Sequence, residues 1–392
     1  MAQTAIQPPT DLTATERRRK RLGQLLSLAM AYRECSRKEL ARTLGRDPTK
    51  LVPGTGIPKL DLVVALAEVL DWPVDHVVTY LWNQSPDHDG EQAGDAPPLH
   101  DTAAGQRDVR RWRETGRYVE VVSALTRRLG EPDLSAAQRR GLRCTLAEAY
   151  YALWSLVEAM AIARDLLETY RASPATTRQD QKTQAMAFYL SGQAQRRLLS
   201  VETGRTRKLA AAASDDLREA MAQCRRLTLD RDDPPLDGVA NTCVGALVEM
   251  DVAMGACRVS DGLARLLSGL DCARDTTTLS RQRLESYGWW CIYGCNIALR
   301  HLDDERELQQ HMAVFTNKAD EISNLLDDWA MRERVFTMQH TRWERAVGSM
   351  GLRIPCVIDS DDVRVITGAM GRFPSFRETG WRILRTAQVI GS

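Results

Sequence analysis

Ser36, Arg37 and Lys38, then Arg46, Thr49 and Lys50, then Thr55 and Lys59 set hydroxyls and cations at short intervals within the first sixty residues. Such residues can do one kind of chemistry together, the recognition of a phosphate backbone. Lys and Arg neutralise phosphates, hydroxyls and backbone N–H groups at a helix start bind phosphate oxygens, and Arg or Lys can read guanine in a major groove. The surrounding charge favours it. Residues 1–60 hold twelve Lys or Arg against five acids, a net +7, whereas residues 61–101 hold nine acids and no Lys or Arg. Attraction is thereby confined to one end of a chain whose net charge is only +1. A solvated polar face is the alternative that the residues alone leave open.

Other chemistry finds no support. No phosphate-cradling GxxxxGK[ST], strand-flanked GxGxxG, HExxH or GxSxG occurs. Gly54-Thr55-Gly56 lacks the lysine that a phosphate loop requires. His301, Asp303, Asp304, Glu305 and His311 fit no metal template, and acids at a helix start are explained by the helix dipole. Cys291 and Cys295 share a helix face but would need two further ligands. The nine cysteines lie singly, without a CxxC pair, as free buried thiols do in a reducing compartment. No catalytic residue, cofactor or metal is expected, and no enzyme.

Helices must position these residues. Leu22, Leu25, Leu26, Ala29 and Met30 recur at helical period within a first helix over 14–32. Ser36 and Glu39 have capping-box spacing and open a second, ending at Leu44-Gly45. Asp47-Pro48 starts a short third segment over 47–52. The prolines and glycines of 53–58 form a loop, and a fourth and fifth helix follow over 59–70 and 74–82. Residues 84–106 have linker composition. From 107 to 392 one helical pattern follows another with turn signals every 15–25 residues, and without strand-like alternation. The expected organisation is therefore 1–83, an acidic linker 84–106, and a helical-repeat domain 107–392, all-α throughout. No stretch has the ~20 apolar residues of a membrane span. With no apolar segment after the N-terminal basic cluster, a cytoplasmic protein is expected.

The stretches SRKELARTLG and PKLDLVVALAEVLDWPVDHV resemble the Cro/repressor-type (XRE) helix-turn-helix family. Leu40, Ala41 and Leu44-Gly45 match its second helix and turn; Pro58, Leu60, Leu62, Ala67 and Leu70 match the helix after the loop. The middle departs from the family: 47–52 offers barely more than one turn where a recognition helix needs about two. The resemblance implies double-stranded DNA as partner. Ser36, Arg37 and Lys38 would then meet phosphate, Arg46, Thr49 and Lys50 would face the groove, and Thr55 and Lys59 would back them.

LAEAYYALWSLVEAMAIARDLLETY resembles a tetratricopeptide-type repeat, with Tyr150, Ala159, Ala163 and Leu166 at its packing positions. Small residues there let two helices approach closely. A repressor-type head on such a body is similar to peptide-responsive bacterial transcriptional regulators. This resemblance implies a homodimer that senses a peptide or protein ligand through its repeats. Asn241 and Asn296 lie mid-helix, where asparagine is otherwise unfavourable. Arg300, one turn beyond Asn296, could meet a ligand carboxylate, and Trp289, Trp290 and Tyr293 on the same helix could wall a pocket. Core packing is the competing reading of them all. An interaction scaffold with a degenerate head, recruiting a protein rather than DNA, is the alternative function.

Overall fold

Thr13 opens the first helix with a reciprocal cap: its hydroxyl accepts the Glu16 N–H, and the Glu16 carboxylate accepts the Thr13 N–H. The computed structural model describes residues 13–54, 57–82, 102–199, 206–230, 233–271, 279–350 and 356–389. The described residues are almost wholly helical, as the sequence leads one to expect. They divide into two compact units.

The first unit begins with α1 (Ala14–Tyr32), α2 (Arg37–Thr43), α3 (Leu60–Leu70) and α4 (Val74–Trp82). Leu22, Leu25, Leu40, Leu66, Leu70 and Leu81 are fully buried, which accounts for the helical period of the apolar positions. The unit holds four N-terminal helices rather than the five expected. Residues 47–52 form turns, not a third helix. Asp47 explains why, since its carboxylate accepts both the N–H (2.8 Å) and the hydroxyl (2.6 Å) of Thr49. This local turn competes with helix, and the prolines at 48 and 53 bias the residues before them away from it.

Val357–Gly371 and Gly380–Ser392 belong to this same unit by their contacts. They carry most of α16 (Ser360–Arg372) and α17 (Arg377–Thr386). The Trp72 indole donates to the carbonyl oxygen of Thr367, Trp381 stacks on Tyr80 with centroids 4.6 Å apart, and Arg364 pairs with Glu34. The expectation of helix alone also needs amending, because β1 (Cys356–Ile358) and β2 (Ala387–Val389) pair as a two-stranded sheet.

The second unit runs from α5 (Thr102–Glu114), whose first residues fall in the expected linker, through α6 (Tyr118–Leu129), α7 (Ala136–Ala152), α8 (Leu156–Ala172) and α9 (Arg178–Leu198). It continues through α10 (Thr206–Asp230), α11 (Pro234–Ala253), α12 (Val259–Asp271), α13 (Arg281–His301), α14 (Glu305–Leu326) and α15 (Trp329–Met350). α5 and α6 are parted where Gly116 takes φ +73°. Consecutive helices pack as hairpins, while α7, α9, α11, α13 and α15 each touch the next. The cores follow suit. One joins α6 to α7 around Val121 and Leu146, the next joins α7, α8 and α9 around Ala147, Ala163 and Leu190, and a large one runs from α10 to α15. Ala159 and Ala163 are fully buried, as close helix approach requires. This is the nearest-neighbour packing of a solenoid. No helix among the described residues is long and apolar enough to cross a membrane.

Candidate functional site

Two places concentrate polar chemistry, one in each unit. In the first unit α2 begins at Ser36, whose hydroxyl accepts the Glu39 N–H and donates to the Glu39 carboxylate at 2.7 Å. These hydrogen bonds hold the Glu39 carboxyl below its usual range. Arg37 reaches over the following turn and donates from Nε to the Pro48 carbonyl oxygen at 3.0 Å. Arg46 pairs at 2.5 Å with Asp61, in the first turn of α3. Lys59 caps that helix through its backbone.

Arg37, Arg46, Thr49, Lys50 and Lys59 are thus drawn around one turn, 46–50, clamped from α2 on one side and α3 on the other. Lys38, Lys50 and Lys59 are exposed. Thr55 lies outside the described residues. Ser36 and Thr49 already spend their hydroxyls on the cap and the turn. The surface can neutralise phosphates, but it offers no helix between Arg46 and Gly54 to lay in a groove.

In the second unit a cavity of about 480 Å³ opens on the inner helices α7, α9, α11, α13 and α15, with contributions from α5 and α6. One wall is a ladder of rings and cations. The Arg197 guanidinium lies 3.8 Å from the ring centroid of Tyr151 and 4.3 Å from that of Trp154, and Arg334 stands 3.9 Å from Trp154. Arg197 also donates to the Tyr151 carbonyl oxygen at 3.0 Å. Burial, and then the nearby cations Arg196 and Arg334, lower its pKa, while Tyr151 opposes them. Another wall holds Glu285 and Asp328. Burial first, then the neighbouring Asp328, pushes the Glu285 carboxyl up to about 7, against the Trp289 hydrogen bond and the fields of Arg281 and Arg113. Asp328 is raised by burial as well. The remaining lining cations and acids are mutually paired: Arg113 with Glu148 at 2.5 Å, Lys182 with Asp233, and Arg334 with Glu333.

Of the residues expected to meet a ligand, Trp289 lines this cavity, whereas Asn241, Asn296, Arg300, Trp290 and Tyr293 do not. Asn241 donates to Ser286 Oγ at 2.6 Å, and its carbonyl oxygen accepts the Trp290 indole N–H at 2.8 Å. Trp290 is buried against Gly245 and Gly269, where an added Cβ would come within 2.3 and 2.0 Å of its ring. Tyr293 is buried beneath Arg196 and accepts from Gln193. Asn296 and Arg300 meet on one carboxylate, Glu249, which Arg196 contacts at 2.7 Å. A single helical position separates a cavity-facing side chain from a core-facing one: Trp289 lines the cavity and Trp290 fills the core. The doublet Arg196-Arg197, set among small and apolar residues, was the signal available in the sequence.

The other candidates have structural placements. Asp304 caps α14, accepting the Glu307 N–H at 2.8 Å. Cys291 and Cys295 are buried, and burial pushes the Cys295 thiol up to about 12. Among the described residues no group of three or more His, Cys, Asp or Glu could hold a metal ion.

No family model matches the chain, and no curated protein matches it. Among solved structures it is similar to PlcR of Bacillus thuringiensis, crystallised in complex with the peptide PapR7 and DNA. The two are 13% identical, the match covers 80% of this chain and 98% of that one, and the TM-score is 0.39.

Proposed function

We propose that the protein is a cytoplasmic, homodimeric, non-enzymatic regulator whose first unit binds double-stranded DNA and whose helical-repeat unit senses a peptide or protein ligand. The observation that carries the DNA half is the clamped turn. Arg37 and Arg46 fix it from both sides, and Lys38, Lys50 and Lys59 remain exposed around it. A cationic surface of this kind positions a protein on a duplex through phosphates. Without a recognition helix, base reading falls to Arg46 and Lys50, and Arg46 must leave Asp61 to take part. The repeat half rests on the cavity, a concave space where aromatic side chains and charged groups converge.

A second reading is favoured by one specific observation, the turn in place of a third helix at 47–52. The first unit is then a protein-recruiting module on a scaffold. Sequencing the fragments that the full chain retains from sheared genomic DNA separates the two. Enrichment of discrete sites supports the regulator, and uniform or absent recovery supports the scaffold.

A further inference from the structure

The first unit carries a second concentration of cations, on α1. Arg17, Arg18, Arg19, Lys20 and Arg21 follow one another within its first two turns, and Arg17, Arg19 and Lys20 are exposed. Glu16, the acid beside them, already accepts from the N–H and the hydroxyl of Thr13. Cations at the start of a helix lie against the positive end of its dipole, and like charges one turn apart repel. Both effects work against the helix, and an anion bound there relieves both.

The far end of the chain brings a further cation to the same place, and Tyr80 of α4 is the joint. Arg21 donates to the Tyr80 carbonyl oxygen at 3.2 Å, with its guanidinium 6.0 Å from the ring centroid, and the Tyr80 hydroxyl donates to Gln24 at 2.6 Å. Trp381 of α17 stacks on the other partner of this joint, the Tyr80 ring itself. Arg385 stands 6.0 Å from the Trp381 centroid and hydrogen-bonds Tyr80, and it is exposed. Glu378, the acid of α17, lies in that helix's first turn. Cations from α1 and from α17 are thereby fixed around one aromatic pair within one compact unit.

We propose that Arg17, Arg19 and Lys20 of α1 and Arg385 of α17 form one surface that holds the phosphate backbone of duplex DNA without reading its sequence. This rests on the DNA-binding reading of the first unit and adds to it a surface that the turn at 46–50 does not include. Guanidinium and ammonium groups at short spacing neutralise phosphates and release their counterions. A lipid surface is the poorer fit. The apolar face of α1, Leu22, Leu25, Leu26 and Ala29, is buried in the unit and so cannot enter a bilayer.

The test is fluorescence anisotropy of the full-length protein on a scrambled duplex across a salt series, with Arg17→Gln/Lys20→Gln and Arg385→Gln beside the wild type. The slope of log affinity against log salt should fall by about two in the double variant and by about one in Arg385→Gln. The ratio of native-duplex to scrambled-duplex affinity should stay within about twofold of the wild type, because phosphate contacts carry no sequence. The double variant changes only exposed side chains of α1 and leaves its buried face intact. An unchanged slope in it overturns the proposal. If Lys38→Ala, Lys50→Ala and Lys59→Ala still lower the slope, the turn keeps the DNA and only this surface falls. A slope that responds to the double variant and not to those three keeps this surface and retires the turn. A fall confined to the double variant overturns the part given to α17. Phosphatidylserine vesicles that retain the wild type but not the double variant, with duplex slopes unchanged, assign the cations to a membrane and overturn the DNA surface.

Discussion

The indole N–H of Trp72 donates to the carbonyl oxygen of Thr367 at 3.0 Å, joining two residues 295 positions apart within one compact unit. Gly371 closes on the same ring. A Cβ there would lie 2.4 Å from Trp72 Cδ1 and 3.1 Å from the Asp71 carbonyl oxygen. The unit that begins at the N-terminus is therefore completed by the end of the chain.

Gly371→Ala should destabilise that unit by about 1–3 kcal/mol, because neither an indole wedged by its own hydrogen bond nor a backbone oxygen yields easily. Trp72→Phe should cost a similar amount by removing the indole hydrogen bond to Thr367 and thinning the packing around it. Hydrogen exchange of residues 57–82 across a denaturant series measures both. A chain ending at 355 should lose cooperative unfolding of residues 13–82 in hydrogen exchange. Undiminished protection there would show that the unit does not depend on its C-terminal helices.

Glu249 is 2% exposed and holds Arg196, Arg300 and Asn296. Glu249→Ala strands the buried Arg196 guanidinium without its carboxylate, and should cost about 3–5 kcal/mol in urea unfolding. Glu249→Gln keeps hydrogen-bond acceptance and should cost less. A loss under about 1 kcal/mol for the alanine variant would mean that the network behaves like an exposed pair.

Glu285 makes stability depend on pH in a defined direction. Its carboxyl titrates at about 7 when folded and near 4.5 when unfolded. Between those values the folded state holds a proton that the unfolded state has released, so stability falls as pH rises from 4.5 to 7. Asp328, also raised by burial, adds to the same slope; Arg281, Arg113 and the Trp289 hydrogen bond oppose it. Glu285→Gln should flatten the thermal-midpoint profile across that window and raise the midpoint above about pH 7, where the native carboxylate is ionised and buried. An unchanged profile would show that the carboxyl is solvated and titrates normally.

Apolar periodicity and capping boxes made the helices legible: the spacing of Ser36 and Glu39 marks the start of α2, and Leu22, Leu25 and Leu26 mark the buried face of α1. What periodicity cannot convey is which partner a buried face meets. Nothing around Trp72 points to Thr367, since that pairing depends on tertiary packing across the whole chain. The residues 47–52 misled for a local reason. Asp47-Pro48 is a helix-start signal, yet the same Asp47 carboxylate closes a turn on Thr49. In the repeats, the polar residues Asn241, Asn296 and Arg300 satisfy internal partners. Their neighbours one position or one helix away line the cavity. A shift of one residue turns a helical side chain by about 100°, and the sequence does not carry the phase of a helix against its neighbours to that precision.

The clamped turn is most directly tested by fluorescence anisotropy of the full-length protein on duplex DNA from upstream of its own gene, beside a scrambled duplex, across a salt series. Binding should be tighter to the native duplex, with a log affinity that falls linearly with log salt and a slope reduced by about one in each of Lys38→Ala, Lys50→Ala and Lys59→Ala. Arg46→Ala, which removes the guanidinium proposed to read a base once it leaves Asp61, should narrow the gap between the two duplexes. Equal or absent binding to both duplexes, with slopes indifferent to the three lysines, would contradict a DNA-binding role and leave the first unit as a surface for protein.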